Sequence, residues 1–413
     1  MAELVLTLPL VFHLVLHQAK AFTQSVLALR RRKVTPVAVP RYAGTHSRTQ
    51  KQRSREGRGD VPNETVDCDI HPSVPGLRSL LPYLDDHWRE VVQTRGMDEL
   101  VSNSYPPNSP LTARADWRPD KGKPAATLDQ VRTECLDTFG TAVAICNCLY
   151  GLQLLFSEDM AGAYARAVND WMAREWLDKE PRLRGSIVVP LQSVEGAVDE
   201  IERCAADPRF VQVLLLASGE KPLGKRQYWP IYAAAVRHGL TVGIHAGSSY
   251  HNPTTAVGWP SYYTEDYVAQ AQAFQTQLTS LICEGAFSRH PELTVVLLES
   301  GWTWLSAHLW RLTKYWRGLR TEIPWVDRSP TEIVRTNVRL SLTPTDAPPD
   351  GSGLLRILDH LQSDALLLFS TDYPHAQFDG ADPWPAGLPD SLKRKITVDN
   401  PRAAYARLSE TVA

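Results

Sequence analysis

From residue 64 onward, short apolar runs alternate with longer stretches of mixed character. The runs are TVDCDI at 65–70, TAVAICN at 141–147, SIVVP at 186–190, VQVLLL at 211–216, TVGIH at 241–245, TVVLLE at 294–299, VRLSL at 338–342 and LLLFST at 366–371. They are rich in leucine and β-branched residues, and their apolar character is nearly continuous. That pattern predicts strands buried on both faces, as parallel strands covered by helices are. Between the runs lie segments with helical spacing. In 194–206, Val194, Val198 and Ile201 share one face; 265–287 and 302–319 are longer, 354–361 is brief, and 390–409 closes the chain. Eight runs, each followed by a helix, predict an α/β (β/α)8 TIM barrel over about residues 64–410. A doubly wound open sheet is the alternative, although no glycine-rich dinucleotide fingerprint follows the first run.

Two regions depart from the alternation. Residues 72–140 are too long for one helix and contain the proline-rich piece YPPNSPLTARADWRP, which predicts a segment inserted after strand 1, over the barrel mouth. Residues 41–60 are polar, basic and almost without apolar side chains, so residues 1–60 read as a disordered basic tail. The apolar stretch 4–16 is interrupted by Pro9 and His13 and is shorter than the roughly 20 residues a bilayer span requires. Its basic cluster, Arg30 to Lys33, follows it, whereas a secretory signal carries its charges first. The expected organisation is therefore a tail over 1–60 and one barrel domain over 61–413, with no membrane span.

Composition narrows the function classes. The 413 residues are 43% hydrophobic and 22% charged, which excludes wholesale disorder, a collagen-like fibre and a multi-span membrane protein. A net charge of −2 gives no bulk attraction to nucleic acid. Residues 1–60 hold 11 basic and 3 acidic residues, so a basic tail precedes an acidic body. The six cysteines are scattered without a C-x-x-C pair, and read as buried reduced thiols of a cytoplasmic protein.

In such a barrel the reactive groups sit at the C-terminal strand ends. Strand one ends Asp67-Cys68-Asp69-Ile70-His71, and a period of two turns Asp67, Asp69 and His71 the same way. Strand five ends at His245, strand six at Glu299, and strand eight runs Ser370-Thr371-Asp372-Tyr373-Pro374-His375. Two imidazoles and two carboxylates at the ends of strands one, five and eight suit a divalent metal such as zinc or manganese. The loop at 247–263 carries Tyr250, His251, Trp259, Tyr262 and Tyr263; these rings either stack on a planar substrate or pack the loop onto the rim. Trp259, Tyr262 and Trp302 are the candidate substrate-binding residues. The aromatic helix at 302–319 offers apolar surface beyond what the barrel needs, so a homo-oligomer is expected.

The chain resembles the amidohydrolase-related metal-dependent enzymes, in the branch that includes aminocarboxymuconate-semialdehyde decarboxylase and the resorcylate-type decarboxylases. The likeness runs from about Val66 to Leu408. It rests on Asp69 and His71, RLRGSIVVPLQSVEGAVDEIERC, YWPIYAAAVRHGLTVGIHAG with His245, RHPELTVVLLESGWTWL with Glu299, STDYPH with Asp372 and His375, and ITVDNPRAAYARL with Asn400 and Tyr405. It implies one divalent metal, zinc first and manganese second, held by Asp69, His71, His245 and Asp372. It also implies catalytic roles for Asp372, Glu299 and His375. Many relatives carry H-x-H where this chain has Asp69-x-His71, and several decarboxylases have histidine where it has Glu299. No lysine ends strand four, so a two-metal centre bridged by a carbamylated lysine is not expected.

Two reactions follow from such a metal. One is non-oxidative loss of carbon dioxide from a small carboxylic acid, aromatic acids included. The other is hydrolysis of a lactone, ester or amide by metal-bound water, whose pKa a divalent ion lowers to about 7. The first is favoured by the family branch, the second by the extra carboxylate of Glu299. A barrel that binds a small molecule without turnover is the third class.

Overall fold

In the computed structural model, residues 64–100, 112–248, 252–348, 350–378 and 382–408 are described. The expected tail over 1–60 lies outside them, as do Tyr250 and His251. Eight strands form one sheet in sequence order: β1 (Thr65–Ile70), β2 (Thr141–Cys146), β3 (Leu183–Val188), β4 (Phe210–Ser218), β5 (Thr241–Ser248), β6 (Val295–Leu298), β7 (Val338–Ser341) and β8 (Leu367–Leu368). Every neighbouring pair is parallel. The segment after β8 brings the sheet round on itself. Cys68 N donates to Phe369 O at 2.9 Å, Asp372 N to Asp69 O at 3.0 Å, and His71 N to Tyr373 O at 2.7 Å. The architecture is the expected (β/α)8 barrel, and β1, β3, β4 and β6 are buried at every position, which accounts for their unbroken apolar runs.

β4 and β5 run on past their expected ends, to Ser218 and Ser248, and β3 and β8 differ more. β3 starts at Leu183 rather than 186, because Arg184 fits inside a strand: its Nη1 donates to the carbonyls of Pro181 and Leu183, both at 2.8 Å. β8 keeps only Leu367–Leu368 in its ladder with β7, since the following residues bond to β1 instead.

The helices that matter below are α1 (Asp86–Arg95), α2 (Glu158–Trp171), α3 (Val194–Cys204), α4 (Trp229–Arg237), α5 (Tyr263–Cys283), α6 (Leu305–Leu319), α7 (Pro330–Asn337) and α8 (Gly351–Leu361). Ser157, Ser193, Ser329 and Asp350 each accept a hydrogen bond from a first-turn N–H and so fix where α2, α3, α7 and α8 begin. α6 starts three residues later than its pattern suggests, because Glu299 (φ 56°) and Gly301 (φ 61°) hold the chain after β6 in left-handed turns. The closing helix is broken into Asp390–Arg394, a wider-turned Lys395–Asp399, Asn400–Ala404 and a tight turn at Ala406–Leu408. Among the described residues no helix is long and apolar enough to cross a membrane.

The 72–140 segment has two parts. Residues 128–139 are a helical run leading into β2. Ahead of it, Thr112 to Trp117 lie against the loop after β8: Arg114 N donates to Pro374 O at 2.9 Å, and Ala376 N to Thr112 O at 3.0 Å. The Arg114 guanidinium covers the Trp117 ring at 3.9 Å, and that ring meets Tyr373 edge-on at 4.9 Å. The inserted segment thus clamps the loop that carries Asp372, His375 and Gln377.

Candidate metal centre

Closing β8 against β1 brings the strand ends together. One ligand atom each from Asp69, His71, His245 and Asp372 lies within 4.8 Å of all the others, and all four residues are buried. Asp69 comes from β1, His71 from the residue after it, His245 from β5 and Asp372 from the turn after β8. His71 Nδ1 lies 2.9 Å from the carbonyl of Asn147, and His245 Nδ1 lies 2.7 Å from that of Ala246. A carbonyl only accepts, so each Nδ1 carries a proton and each Nε2 faces inward; without an ion His71 Nε2 also donates to Asp372 Oδ1, whereas His245 Nε2 has no hydrogen-bond partner. His71 Nε2 sits 3.1 Å from Asp69 Oδ1 and 2.8 Å from Asp372 Oδ1; His245 Nε2 sits 3.5 Å from Asp69 Oδ2.

Buried polar atoms are ordinarily paired. Among the buried side-chain atoms without a hydrogen-bond partner, Asp69 Oδ2, His245 Nε2 and Asp372 Oδ2 converge in this one cluster. Two carboxylates and two inward-facing imidazoles, once each Nε2 is unprotonated, fit a divalent cation. Without an ion, the carboxylates and imidazoles hold one another charged. Burial alone would raise the Asp69 carboxyl, but the adjacent His71 and His245 outweigh it and hold it well below the usual carboxylate range. Burial opposes the charged form of both imidazoles, yet Asp69 draws both upward from 6.5. Asp372 is also held low, with His375 and His71 outweighing its burial.

Beneath these groups a polar plug fills the barrel. Asn147 Nδ2 donates to Asp69 Oδ1 at 2.8 Å, and its Oδ1 accepts from Ser186 Oγ at 2.6 Å and Gln212 Nε2 at 2.8 Å. Tyr405 Oη donates to Gln212 Oε1 at 2.9 Å. Gly243 makes room for it, since a Cβ there would stand 2.4 Å from the Gln212 amide carbon. The plug fixes which way the Asn147 amide faces and therefore where Asp69 points.

A second cluster, Glu299, Asp372 and His375, shares Asp372 with the first. His375 Nδ1 lies 3.0 Å from Asp372 Oδ1, and its ring stacks on His71 at 4.6 Å. Glu299 Oε2 is 3.3 Å from His245 Nε2. Burial, reinforced by Asp372, pushes the Glu299 carboxyl to about 7. Glu299 and Asp372 (φ 54°) both occupy left-handed backbone, the strain that functional sites often hold.

The other sequence-based candidates lie elsewhere. Asp67 is buried but outside the ligand cluster; its carboxylate accepts from Thr371 N at 3.1 Å and Thr371 Oγ1 at 2.6 Å, tying β1 to the β8 end. Trp302 is completely buried. Trp259 is half exposed, and Tyr262 is 72% exposed. The next tyrosines along the chain come closer to the site: Glu299 and Asp372 act on both Tyr263 and Tyr267, raising the Tyr263 hydroxyl above its ordinary 10 after burial has done most of the work. Tyr267 Oη donates to Gln377 Oε1 at 2.6 Å, and Gln377 Nε2 donates to Glu299 Oε1 at 2.9 Å. Asn147, Ser186, Gln212, Tyr267 and Gln377 escaped the sequence reading. Lone polar residues on apolar strands were the signal for the plug, and a Tyr pair spaced i, i+4 was the signal for α5.

Known proteins share this arrangement of strands. A γ-resorcylate decarboxylase of Rhodococcus jostii (strain RHA1) is 25% identical over 243 residues, which is 56% of this chain and 73% of that one. The crystal structure of an amidohydrolase from Mycobacterium avium subsp. paratuberculosis K-10 superposes with a TM-score of 0.63 at 22% identity, covering 83% of this chain and 97% of that one. A dihydroxybenzoic acid decarboxylase from Polaromonas sp. JS666, with bound manganese and the inhibitor 2-nitroresorcinol, superposes with a TM-score of 0.58 at 19% identity, covering 85% and 99%. The amidohydrolase family model matches residues 66–407, from the first barrel strand through the closing turn, and with that span the chain belongs to the amidohydrolase family.

Proposed function

We propose that the protein is a metal-dependent carboxy-lyase that removes carbon dioxide from a small hydroxybenzoate-like acid. The observation that carries this reading is the buried Asp69–His71–His245–Asp372 cluster with three unpartnered ligand atoms, in a chain related to resorcylate decarboxylases. Those four residues would hold one ion. Zinc and manganese both suit two nitrogens and two carboxylate oxygens, and the Polaromonas enzyme carries manganese. When bound, the ion supplies polarisation of the substrate's oxygens.

The chain's own groups supply orientation and a proton. Asp372 and His375, 3.0 Å apart, share one proton between carboxylate and imidazole. That proton passes to the ring carbon as its bond to the carboxyl carbon breaks, and carbon dioxide leaves. His375 is half-buried, so it recovers a proton from solvent. Tyr263, in the first turn of α5, offers a ring at the edge of the site for an aromatic substrate. Trp259 and Tyr262 are exposed and lie outside this wall.

Glu299 favours a second reading, hydrolysis of a lactone or ester. A third carboxylate near the ion site, pushed to about 7, is suited to take a proton from an attacking water. Its charge also disfavours a carboxylate substrate. A paired screen of metal-loaded protein separates the two. Carbon dioxide release from hydroxybenzoates supports the lyase. Proton release from lactones or esters alone, abolished by Glu299→Gln, replaces it with the hydrolase.

Six unpaired cysteines, five of them buried, support a reducing compartment such as the cytoplasm. Exposed Trp310, Tyr315 and Leu319 on α6 support a homo-oligomer. A monomer by light scattering would end that idea.

A further inference from the structure

We infer that Gln377 and Tyr267 are positioning residues that hold the Glu299 carboxylate against the ion site. Glu299 is fixed at both ends. Its main-chain N–H donates to Ser341 Oγ at 2.9 Å, and Ser341 Oγ donates on to Thr343 O at 3.0 Å. This holds the left-handed backbone that throws the side chain inward. At the other end Gln377 Nε2 donates to Oε1 at 2.9 Å, which leaves Oε2 facing His245 Nε2 at 3.3 Å. Gln377 is itself oriented: its Oε1 accepts from Tyr267 Oη at 2.6 Å, so its amide can only present the NH2 edge to Glu299. The relay spans three elements, running from α5 through the loop after β8 to the end of β6. Without it Glu299 would keep its place in the chain but lose its aim.

The inference rests on the proposed ion site but needs no substrate, so it stands or falls apart from the decarboxylase reading. Mn2+ affinity is measured for the wild type, Glu299→Gln, Gln377→Leu, Tyr267→Phe and the Gln377→Leu/Glu299→Gln double variant. Glu299→Gln should weaken binding about tenfold, the lower range for groups that orient or support metal ligands. Gln377→Leu should reproduce at least a third of that factor, Tyr267→Phe less, and the double variant should be no weaker than Glu299→Gln alone. A purely structural role for Gln377 predicts factors that multiply. Multiplying factors, or a Gln377→Leu variant that binds like the wild type, overturn the inference. If Gln377→Leu fails to fold, Tyr267→Phe in the two Glu299 backgrounds decides by the same rule. If the chain takes up no Mn2+, the proposed function fails, and the side-chain amide resonances of Gln377 then decide. They should move in both Glu299→Gln and Tyr267→Phe; resonances that stay put in either variant overturn the relay.

Discussion

Asp69 sits between two polar clusters that are finished in different ways. Below it, Asn147, Ser186, Gln212 and Tyr405 satisfy one another with bonds of 2.6 to 2.9 Å and leave no side-chain atom unpartnered. Above it, Asp69, His245 and Asp372 each leave one buried atom without a partner, although the residues are as deeply buried. An unmade bond in a low-dielectric interior costs more than the same bond made contributes. A chain that pairs the lower cluster completely has the means to pair the upper one. The upper atoms are thus open to a group the chain does not encode, and the lower cluster holds Asp69 in its orientation.

The comparison breaks most easily at the upper cluster. His245→Ala or Asp372→Ala should remove the ion, read by elemental analysis, and lower turnover by about a thousandfold or more, the scale on which essential catalytic groups act. Chelation of the wild type should do the same reversibly. Full turnover in the ion-free protein would mean that the unpartnered atoms have another purpose.

Asn147→Leu attacks the one residue that belongs to both clusters. It removes the donor to Asp69 and the acceptor for the Ser186 hydroxyl and one Gln212 N–H, so it should cost about 2–4 kcal/mol in a denaturant titration. It should also weaken the ion by about 10- to 100-fold. A loss of stability with unchanged ion affinity would show that the plug only fills space.

Acidity separates the clusters in a third way. In the ion-free chain, burial works against protonating His71 and His245, but Asp69 together with Asp372 at His71 and Glu299 at His245 outweighs it and lifts both above 6.5. Their contribution to stability is therefore complete below pH 6.5 and is lost as the pH rises through the folded values. Ion uptake needs both rings at Nε2 without a proton, so the ion's contribution grows with pH. Melting curves with chelator and with excess Mn2+ should diverge as the pH rises, by about 3 kcal/mol once the ion is near a hundred times its Kd. Parallel curves would contradict the ligand assignment. The plug has no titrating member other than Tyr405, whose hydroxyl burial pushes upward, and adds nothing to the divergence.

The upper cluster was legible in the sequence and the lower one was not. Asp69, His71, His245 and Asp372 stand at the ends of long apolar runs, where a polar residue has few reasons to be unless it faces the mouth. Gln212 stands inside such a run, and Asn147 and Ser186 at the edges of theirs; nothing in the spacing says which way an isolated amide or hydroxyl points. Spacing also does not show which tyrosines of this region face the site. α5 begins at Tyr263 rather than near 265, so Tyr263 and Tyr267 fall one turn apart on the site side, while Tyr262 stays outside the helix. Gln377 had no pattern at all, because the loop that carries it is placed by the inserted segment, a contact between residues more than 250 positions apart.

Tyr405→Phe tests the far end of the lower cluster and should have the smallest effect. The ring remains, so no cavity opens, and only the bond to Gln212 Oε1 is lost. That leaves one buried amide oxygen without a donor, a cost of about 1–2 kcal/mol. Gln212 still donates to Asn147 Oδ1 at 2.8 Å and Ser186 Oγ at 2.9 Å, and Ser186 still donates to Asn147 at 2.6 Å. The Asn147 amide therefore keeps its orientation and Asp69 keeps its aim. Denaturant titration should show the loss, and Mn2+ affinity should stay within about twofold, since the groups that orient the ligands are intact. A tenfold drop in affinity would mean that the plug and the mouth move as one unit, with the distinction between paired and open atoms extending down to the last turn of the chain.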